Sequence, residues 1–331
     1  MTARGPFARL ARMDNLRPAA RLGIVIVSYN TCALLRRSLQ SAAEVTLPAD
    51  VVVVDNASAD GSAAMVAREF PRVRLIANRD NRGFAAATNQ GIRAVQDQVD
   101  FVLLLNPDAW LCPGAAEELV RFLELHPRVG VAGPRLLYPD GRHQEGAWRF
   151  PTLLMAFFDL FPPRGPLLGR LQGSYLNGRY PEEHDHDPFP IDHPLGAAMM
   201  IRREALADVG LFDEGYWMYA EEVDWCRRCR EAGWAIWQVP TARVVHVGGA
   251  SSSQFRGRSF VALHRSRLRY VQKWGEARHR RRYRWIIQGG MLWATLQTWR
   301  SWLRGYSSRD ELRARLLAYG AVAELARRTM N

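Results

Sequence analysis

An α/β fold built on a mainly parallel sheet is what the chain predicts, and three features carry the prediction. Apolar runs alternate with helix-like segments four times between Leu22 and Leu105, joined by short links. The runs VVVV (Val51–Val54) and VLLL (Val102–Leu105) are unbroken, as in strands buried on both faces. Each run then ends in a polar cluster that precedes a helix, so those clusters fall along the carboxyl edge of the sheet, where such folds bind ligands. With 331 residues, 48% of them apolar, the chain is not of the disordered class and can bury one large or two modest cores.

Leu22 to Val27 reads as the first strand, closed by Ser28-Tyr29-Asn30, and Cys32 to Ala43 as a helix. Val51 to Val54 is the second strand, ending in Asp55-Asn56 and a polar loop, with a helix over Ala63 to Phe70. Val73 to Ala77 is the third, followed by Asn78 to Gly83 and a helix over Phe84 to Val95. Phe101 to Leu105 then runs into Asn106-Pro107-Asp108, where proline is expected to end the ladder. Asn30, Asp55, Asn81 and Asp108 should therefore converge on one nucleotide-sized edge. The sequence carries neither G-x-G-x-x-G after the first strand nor G-x-x-x-x-G-K-[ST], which excludes both phosphate-loop types.

A helix over Ala115 to Leu125 precedes the turn signal Tyr138-Pro139-Asp140-Gly141. Residues 151–194 are rich in Pro, Gly and aromatics and are expected to border an acceptor site. Their His184-Asp185-His186-Asp187 patch reads as a solvated turn sooner than a metal cluster. Leu195 to Ile201 is a strand whose Gly196 permits close approach of a ligand. The acids Glu221, Glu222 and Asp224 open a helix that closes at Gly233. Acids in a first turn complement the helix dipole as well as offering catalytic carboxylates. Val239 to Val247 is a last strand carrying His246.

Charge is unevenly placed. Residues 251–331 hold 18 Lys and Arg against 4 Asp and Glu, whereas the first 250 hold 27 against 29. The tail reads as amphipathic helices over Phe260 to Trp274, Ile286 to Leu303 and Leu312 to Ala326. The middle one, broken by Gln288, Gln297 and Arg300, suits an interface better than a membrane span. Such a tail either packs on the core or faces an anionic surface, and its apolar faces also leave room for a homo-oligomer. The four cysteines form neither a disulfide framework nor a zinc set, although Cys226 and Cys229 are three apart, so they are expected to be ordinary thiols in a reducing compartment. Residues 1–21 read as a basic arm without the apolar core of a secretory signal.

Together the motifs VSYN, VVVVDNASADGS, NRDNRGFAAATNQGI, LLLNPDAWL, GAAMMIRREALADVGLFDEGYWMYAEEVDWCRRCREAGW and HVGG resemble the inverting family-two glycosyltransferases, in particular their bacterial rhamnosyltransferase-like branch. The resemblance covers about residues 22–250. It implies a GT-A domain over 22–250, a nucleotide-diphosphate sugar donor such as a dTDP- or UDP-sugar, a divalent Mg or Mn cation and inversion at the anomeric carbon. By the same resemblance Tyr29 packs near the nucleobase, Asp55 accepts from the pyrimidine N–H, and Asn81 and Gly83 line the donor pocket. Asn30 and Gly196 complete that donor set. Asp108 matches the last acid of a D-x-D metal motif whose first acid is here Asn106. Asp224 and His246 stand where a further acid and a metal-binding histidine occur. Glu222, with Glu221 beside it, stands where the family has its base, and Trp217 and Tyr219 are the expected acceptor contacts.

The function implied is transfer of a sugar, best rhamnose from dTDP-rhamnose, to a cell-envelope or polyprenyl-linked glycan acceptor, by an enzyme peripheral on the cytoplasmic face of the membrane. A non-catalytic nucleotide-sugar or glycan-binding protein on the same fold is the alternative, motivated by Asn106 and Glu222. Nucleic-acid binding is disfavoured, because no nucleic-acid module accompanies the basic tail.

Overall fold

The computed structural model describes residues 20–163, 165, 169–180, 186–249 and 256–329. The basic arm through residue 19, the pair His184-Asp185 and the start of the tail at 250–255 lie outside the described residues. Strand and helix alternate in the predicted order: β1 (Leu22–Ser28), α1 (Cys32–Ala43), β2 (Ala49–Asp55), α2 (Ser62–Glu69), β3 (Arg74–Ala77), α3 (Phe84–Val95) and β4 (Phe101–Leu105). These four strands lie side by side as β3-β2-β1-β4, all parallel. Ser28 pairs with Asp55, so the polar clusters that follow β1 and β2 emerge level with each other.

Alternation sorts each strand between two cores. Leu22, Ile24 and Ile26 of β1 pack with Leu35 and Leu39 of α1, whereas Val25 and Val27 face α3 through Ala87 and Ile92. A strand buried on both faces needs apolar residues at every position, which is why these runs are unbroken.

The second half is mixed. It comprises β5 (Ala109–Leu111), α4 (Ala115–Leu125), β6 (Val129–Leu137), β7 (His143–Gln144), β8 (Ala147–Trp148), α5 (Leu153–Leu160), β9 (Phe189–Pro190), β10 (His193–Pro194), β11 (Ala198–Arg202), α6 (Arg203–Val209), α7 (Glu221–Glu231) and β12 (Ala235–His246). β11 inserts antiparallel between β4 and β6, and β12 runs parallel to β6. Pro107 ends β4, but the sheet resumes two residues later: β5 pairs antiparallel with β12, setting His246 opposite Ala109. That pairing positions the site described below.

The tail forms α8 (Arg256–Trp274), α9 (Ala277–Leu303) and α10 (Arg309–Thr329). It is a packed layer of the same body. Leu268, Tyr270 and Val271 of α8, Ile287 and Met291 of α9, and Val322 of α10 join the core cluster that contains Val223 and Trp225 of α7. Each fully buried large apolar side chain contributes about 1.5–3 kcal/mol. Gly290 lets α5 approach α9 closely, since a Cβ there would meet Leu160 at 2.6 Å.

A polar cluster fastens α8 to α7. Asp224, with no solvent exposure, accepts from Lys273 Nζ at 2.9 Å, Trp274 Nε1 at 2.8 Å, Arg228 Nε at 3.1 Å and the Tyr216 hydroxyl at 3.3 Å. Arg269 and Lys273 also reach Asp213, and Ser266 Oγ donates to the Met218 carbonyl. Burial and the neighbouring Asp224 charge hold the Tyr216 phenol above its ordinary range, so it remains a donor. Removing one partner of a buried ion pair strands the other, at about 3–5 kcal/mol. Asp224→Asn should therefore lower unfolding free energy by about 3 kcal/mol in urea titration. Lys273→Met, which leaves Arg228 in place, should cost less, about 2 kcal/mol. An unchanged midpoint in both variants would show that the cluster does not hold the tail.

Candidate active site

The carboxyl edge of β1 and β2 is built by short polar loops that staple one another. Asn30 N donates to Ser58 Oγ at 3.0 Å, and Asn30 Oδ1 accepts from Ala59 N at 2.7 Å. Asp60 accepts from Cys32 N at 2.7 Å and from Ser62 N and Oγ, so one carboxylate serves the start of both α1 and α2. Its partial burial acts to raise its pKa, but the bonds from Ser62 and Cys32 win and hold it below the usual range. Tyr29 and Asn30 are half-buried at the mouth of this edge.

Asp55 is buried with one oxygen committed and one open. Oδ2 accepts from Ser58 N at 3.0 Å, while Oδ1 is shielded and has no hydrogen-bond partner among the described residues. An orphaned carboxylate oxygen in a buried position calls for a donor from water or a ligand. Asn56 beside it is the hub of the next loop: its Nδ2 donates to Asn81 Oδ1 at 2.9 Å and the Gly83 carbonyl at 3.2 Å, and its Oδ1 accepts from Asn78 Nδ2 and Arg82 N. Sequence reasoning passed over Asn56 and Asp60, which support the predicted residues. The signal available was their place in a strand-end polar cluster.

Gly83 marks where this loop meets the segment preceding α7. Its φ is +83°, and a Cβ there would meet the Trp217 carbonyl oxygen at 2.4 Å and its indole Cδ1 at 2.5 Å. Phe84 N donates to that same carbonyl at 2.6 Å. The expected donor residue Gly83 and the expected acceptor residue Trp217 are thus in contact. Trp217 remains 45% exposed, and Tyr219 is half-buried with φ +71°.

Asp108 and His246 are both almost fully buried, with His246 Nε2 3.5 Å from Asp108 Oδ1. The β5–β12 pairing brings them together, and Val247 N donates to the Asp108 carbonyl. Gln144 Oε1 lies 2.9 Å from His246 Nδ1. An amide oxygen only accepts, so Nδ1 carries a proton, and Nε2 is the ring nitrogen that faces the carboxylate. In the neutral ring Nε2 is an acceptor, and two acceptors 3.5 Å apart suit a shared cation. Oxygen plus imidazole nitrogen is a reasonable set for Mn, and Mg commonly takes few protein ligands beside substrate phosphates. Among the described residues no cluster of three or more His, Cys, Asp or Glu is present. Asn106 contributes its backbone, donating to the Ala197 carbonyl at 2.8 Å.

Asp224 is a correction to the expected metal set. Its oxygens are taken by Lys273, Arg228, Trp274 and Tyr216, and a carboxylate neutralised by two side-chain cations is a structural anchor rather than a ligand. The described half of the His-Asp patch, His186 and Asp187, is exposed, as a solvated turn should be.

Glu221 and Glu222 open α7 directly after Tyr219 and Ala220, both in the left-handed region. Glu221 is buried and Glu222 half-buried, and Oε2 of each is shielded without a partner among the described residues. Burial raises both carboxyls above the usual range, Glu221 the further, with the Glu222 charge adding to its rise. The N–H groups of Glu222, Val223 and Gly196 oppose the rise at Glu222. Those three N–H groups favour the ionised form of Glu222. Gly196, expected to line the donor pocket, lies against it: a Cβ there would sit 3.5 Å from the Glu222 carboxyl carbon. Since Ala197 bonds to Asn106, the acid pair borders the end of β4.

Comparison with known proteins identifies the family. The glycosyl transferase family 2 profile matches residues 23–210. The N-acetylglucosaminyl-diphospho-decaprenol L-rhamnosyltransferase of Mycobacterium tuberculosis is 30% identical over 284 residues, 82% of this chain and 90% of that protein. The dTDP-rhamnosyl transferase RfbF of Shigella flexneri is 22% identical over 67% of each chain. Among solved structures, a mannosyltransferase of Pyrobaculum calidifontis in complex with GDP-Man and Mn2+ superposes with a TM-score of 0.54 at 16% identity, over 96% of this chain and 92% of that one. GalNAc-T7 with UDP, GalNAc and Mn2+ gives 0.55 at 17% identity over 93% of this chain and 56% of that one. With a mixed sheet whose carboxyl edge gathers the motifs, and a profile match over more than half its length, the chain belongs to glycosyl transferase family 2, as a GT-A glycosyltransferase of the rhamnosyltransferase-like kind.

Proposed function

We propose that the chain transfers a rhamnosyl group from dTDP-rhamnose to an N-acetylglucosaminyl unit on a polyprenyl diphosphate, with inversion, at the cytoplasmic face of the membrane. The observation that carries the chemistry is the Glu222 carboxylate, with a raised pKa and an unpartnered Oε2, beside the edge where Asp55 leaves Oδ1 open. The sugar and acceptor rest on the printed activities of the Mycobacterium tuberculosis and Shigella flexneri relatives.

In this reading Asp55 Oδ1 accepts the pyrimidine N–H, and Tyr29 and Asn30 flank the base. Asn81 and Gly83 hold the loop over the nucleotide. Glu222 takes the proton of the acceptor hydroxyl as that oxygen bonds to the anomeric carbon and the bond to the diphosphate breaks. Trp217 and Tyr219 present faces on which the acceptor sugar packs. Asp108 and His246 would hold a Mg or Mn ion, which when bound neutralises charge on the leaving diphosphate.

Release of nucleoside diphosphate from dTDP-rhamnose, UDP-galactofuranose, UDP-glucose and UDP-N-acetylglucosamine, with and without Mn or Mg and a polyprenyl-linked acceptor, checks this. Turnover should be confined to dTDP-rhamnose and need the metal. Asp108→Ala should abolish metal dependence together with activity, and Glu222→Gln should lower kcat by about 10²–10⁴-fold with donor affinity kept. Turnover of another donor alone would replace the sugar, and full activity of Glu222→Gln would remove the base.

The acid limb of kcat should lie above the ordinary Glu range, since the raised Glu222 must lose its proton to act and activity rises with pH through that point. Glu221→Gln should keep most activity and leave or lower that limb, because it removes a neighbour whose ionisation opposes that of Glu222. A limb at the ordinary Glu value would contradict the assignment. Gly83→Ala should lower kcat/KM for the donor about tenfold or more and destabilise by about 1–3 kcal/mol, through the clash with Trp217 and the forced positive φ. Steady-state kinetics and thermal unfolding together read both effects.

A further inference from the structure

We propose that the outward face of α9 is a docking surface for an anionic lipid bilayer. Trp285, Leu292, Leu296, Trp299 and Leu303 are spaced 7, 4, 3 and 4 residues apart, which at 3.6 residues per turn aligns them in one stripe. All five are exposed, Trp285 at 62% and Leu303 at 72%. The opposite side of the same helix is spent on protein: Tyr283, Ile287, Gly290 and Met291 are buried against α5 and the core. The helix is thus apolar on two faces, and one remains exposed from Trp285 to Leu303 in the described structure.

Charge selects the occupant. Between Ala277 and Leu303 there is no acidic residue, and Arg278, Arg281 and Arg282 lead into the stripe while Arg300 and Arg304 border its far end. Arg278, Arg281, Arg282, Arg300 and Arg304 are all exposed. A second copy pairing along this face, in either direction, would set arginines against arginines with no carboxylate between them. An anionic leaflet answers both features, taking guanidinium groups at its headgroups and tryptophan and leucine at the acyl boundary. At the stripe's end Trp299, Leu312, Leu316 and Leu317 line an apolar groove between α9 and α10, flanked by Arg309 and Arg313, which suits the edge of a lipid chain and its phosphate. None of the described helices is long and apolar enough to cross a membrane, so the contact is peripheral. The surface would bring the active site to a lipid-linked acceptor. Its purpose rests on the proposed function, but its evidence does not.

Flotation of the full chain with phosphatidylcholine vesicles, with and without phosphatidylglycerol, tests it. Binding should require phosphatidylglycerol and weaken with added salt. Arg281→Ala and Arg282→Ala should each lower apparent affinity about fivefold. The combined variant Trp285→Gln, Leu292→Gln, Leu303→Gln should reduce binding to background while keeping its melting temperature, because these side chains are exposed. That variant should also keep nucleoside diphosphate release with a soluble short-chain acceptor, which separates failure of docking from failure of the transfer reading. Equal vesicle binding by the combined variant would overturn the assignment. So would a wild-type dimer in sedimentation velocity that the variant dissolves without any vesicle binding, which would give the face to a second copy.

Discussion

The four-way clasp on Asp224 is the constraint on which the arrangement of this enzyme depends. Asp224 lies two residues beyond Glu222 on the same helix, yet its carboxylate points to the tail, where Lys273 and Trp274 of α8 meet it. A buried ion pair is weak evidence for net stability, since desolvation offsets the attraction. It is strong evidence for a fixed geometry, because any other placement of α8 removes two of the four bonds that the buried Asp224 carboxylate accepts. The chain has a single lysine, and it is used here. The helix that carries the acid pair is therefore held on one side by the sheet and on the other by the C-terminal helices, so the tail is part of the active-site scaffold.

From that fixed helix the rest of the site follows by contact. Glu222 lies against Gly196, the next residue bonds to Asn106, and two residues on stands Asp108. The antiparallel β5–β12 pairing then adds His246, and Gln144 on β7 accepts from its Nδ1. From the other direction, Asn56 gathers Asn81 and Gly83, and Gly83 abuts Trp217 in the segment that leads into α7. Residues more than a hundred positions apart are joined along these two paths, each link a short contact to backbone or a buried side chain.

Much of this was legible in the sequence because it depends on local rules. Unbroken apolar runs gave the parallel strands, and the polar clusters at their ends gave the edge where Asn30, Asp55, Asn81 and Asp108 meet. The helix start at Glu221 was readable from its acids and its stop from Gly233. What was not legible depends on pairing across the chain. Nothing local shows that the sheet resumes after Pro107 to deliver His246 to Asp108. Nothing local says that Asp224 turns to a lysine fifty residues away while Glu222 does not. The Glu-Glu-Val-Asp string presents three equivalent acids, and only packing separates a committed anchor from the proposed base. The same holds for the tail: its amphipathic pattern left packing on the core and facing a lipid surface as alternatives, whereas α9 has a face for the core and another, opposite, left outside.

Backbone strain follows the same line. Among the described residues, the non-glycine positions with positive φ are Asn30, Ala57, Tyr219 and Ala220. Each such residue costs on the order of 1–3 kcal/mol unless its side chain or surroundings compensate. Asn30 has local compensation through its bonds to Ser58 and Ala59. Tyr219 and Ala220 have no comparable side-chain bonds holding them, yet they stand consecutively before Glu221. What can hold two strained residues there is the packing on either side: the Gly83–Trp217 contact before them and the Asp224 clasp after them. The strain turns the chain sharply so that α7 begins with its acids at the sheet edge. A relaxed approach would start the helix elsewhere and turn Glu222 away from Gly196. Strain at the start of α7 and the buried charge cluster four residues later are thus two parts of one device that fixes Glu222, the proposed base.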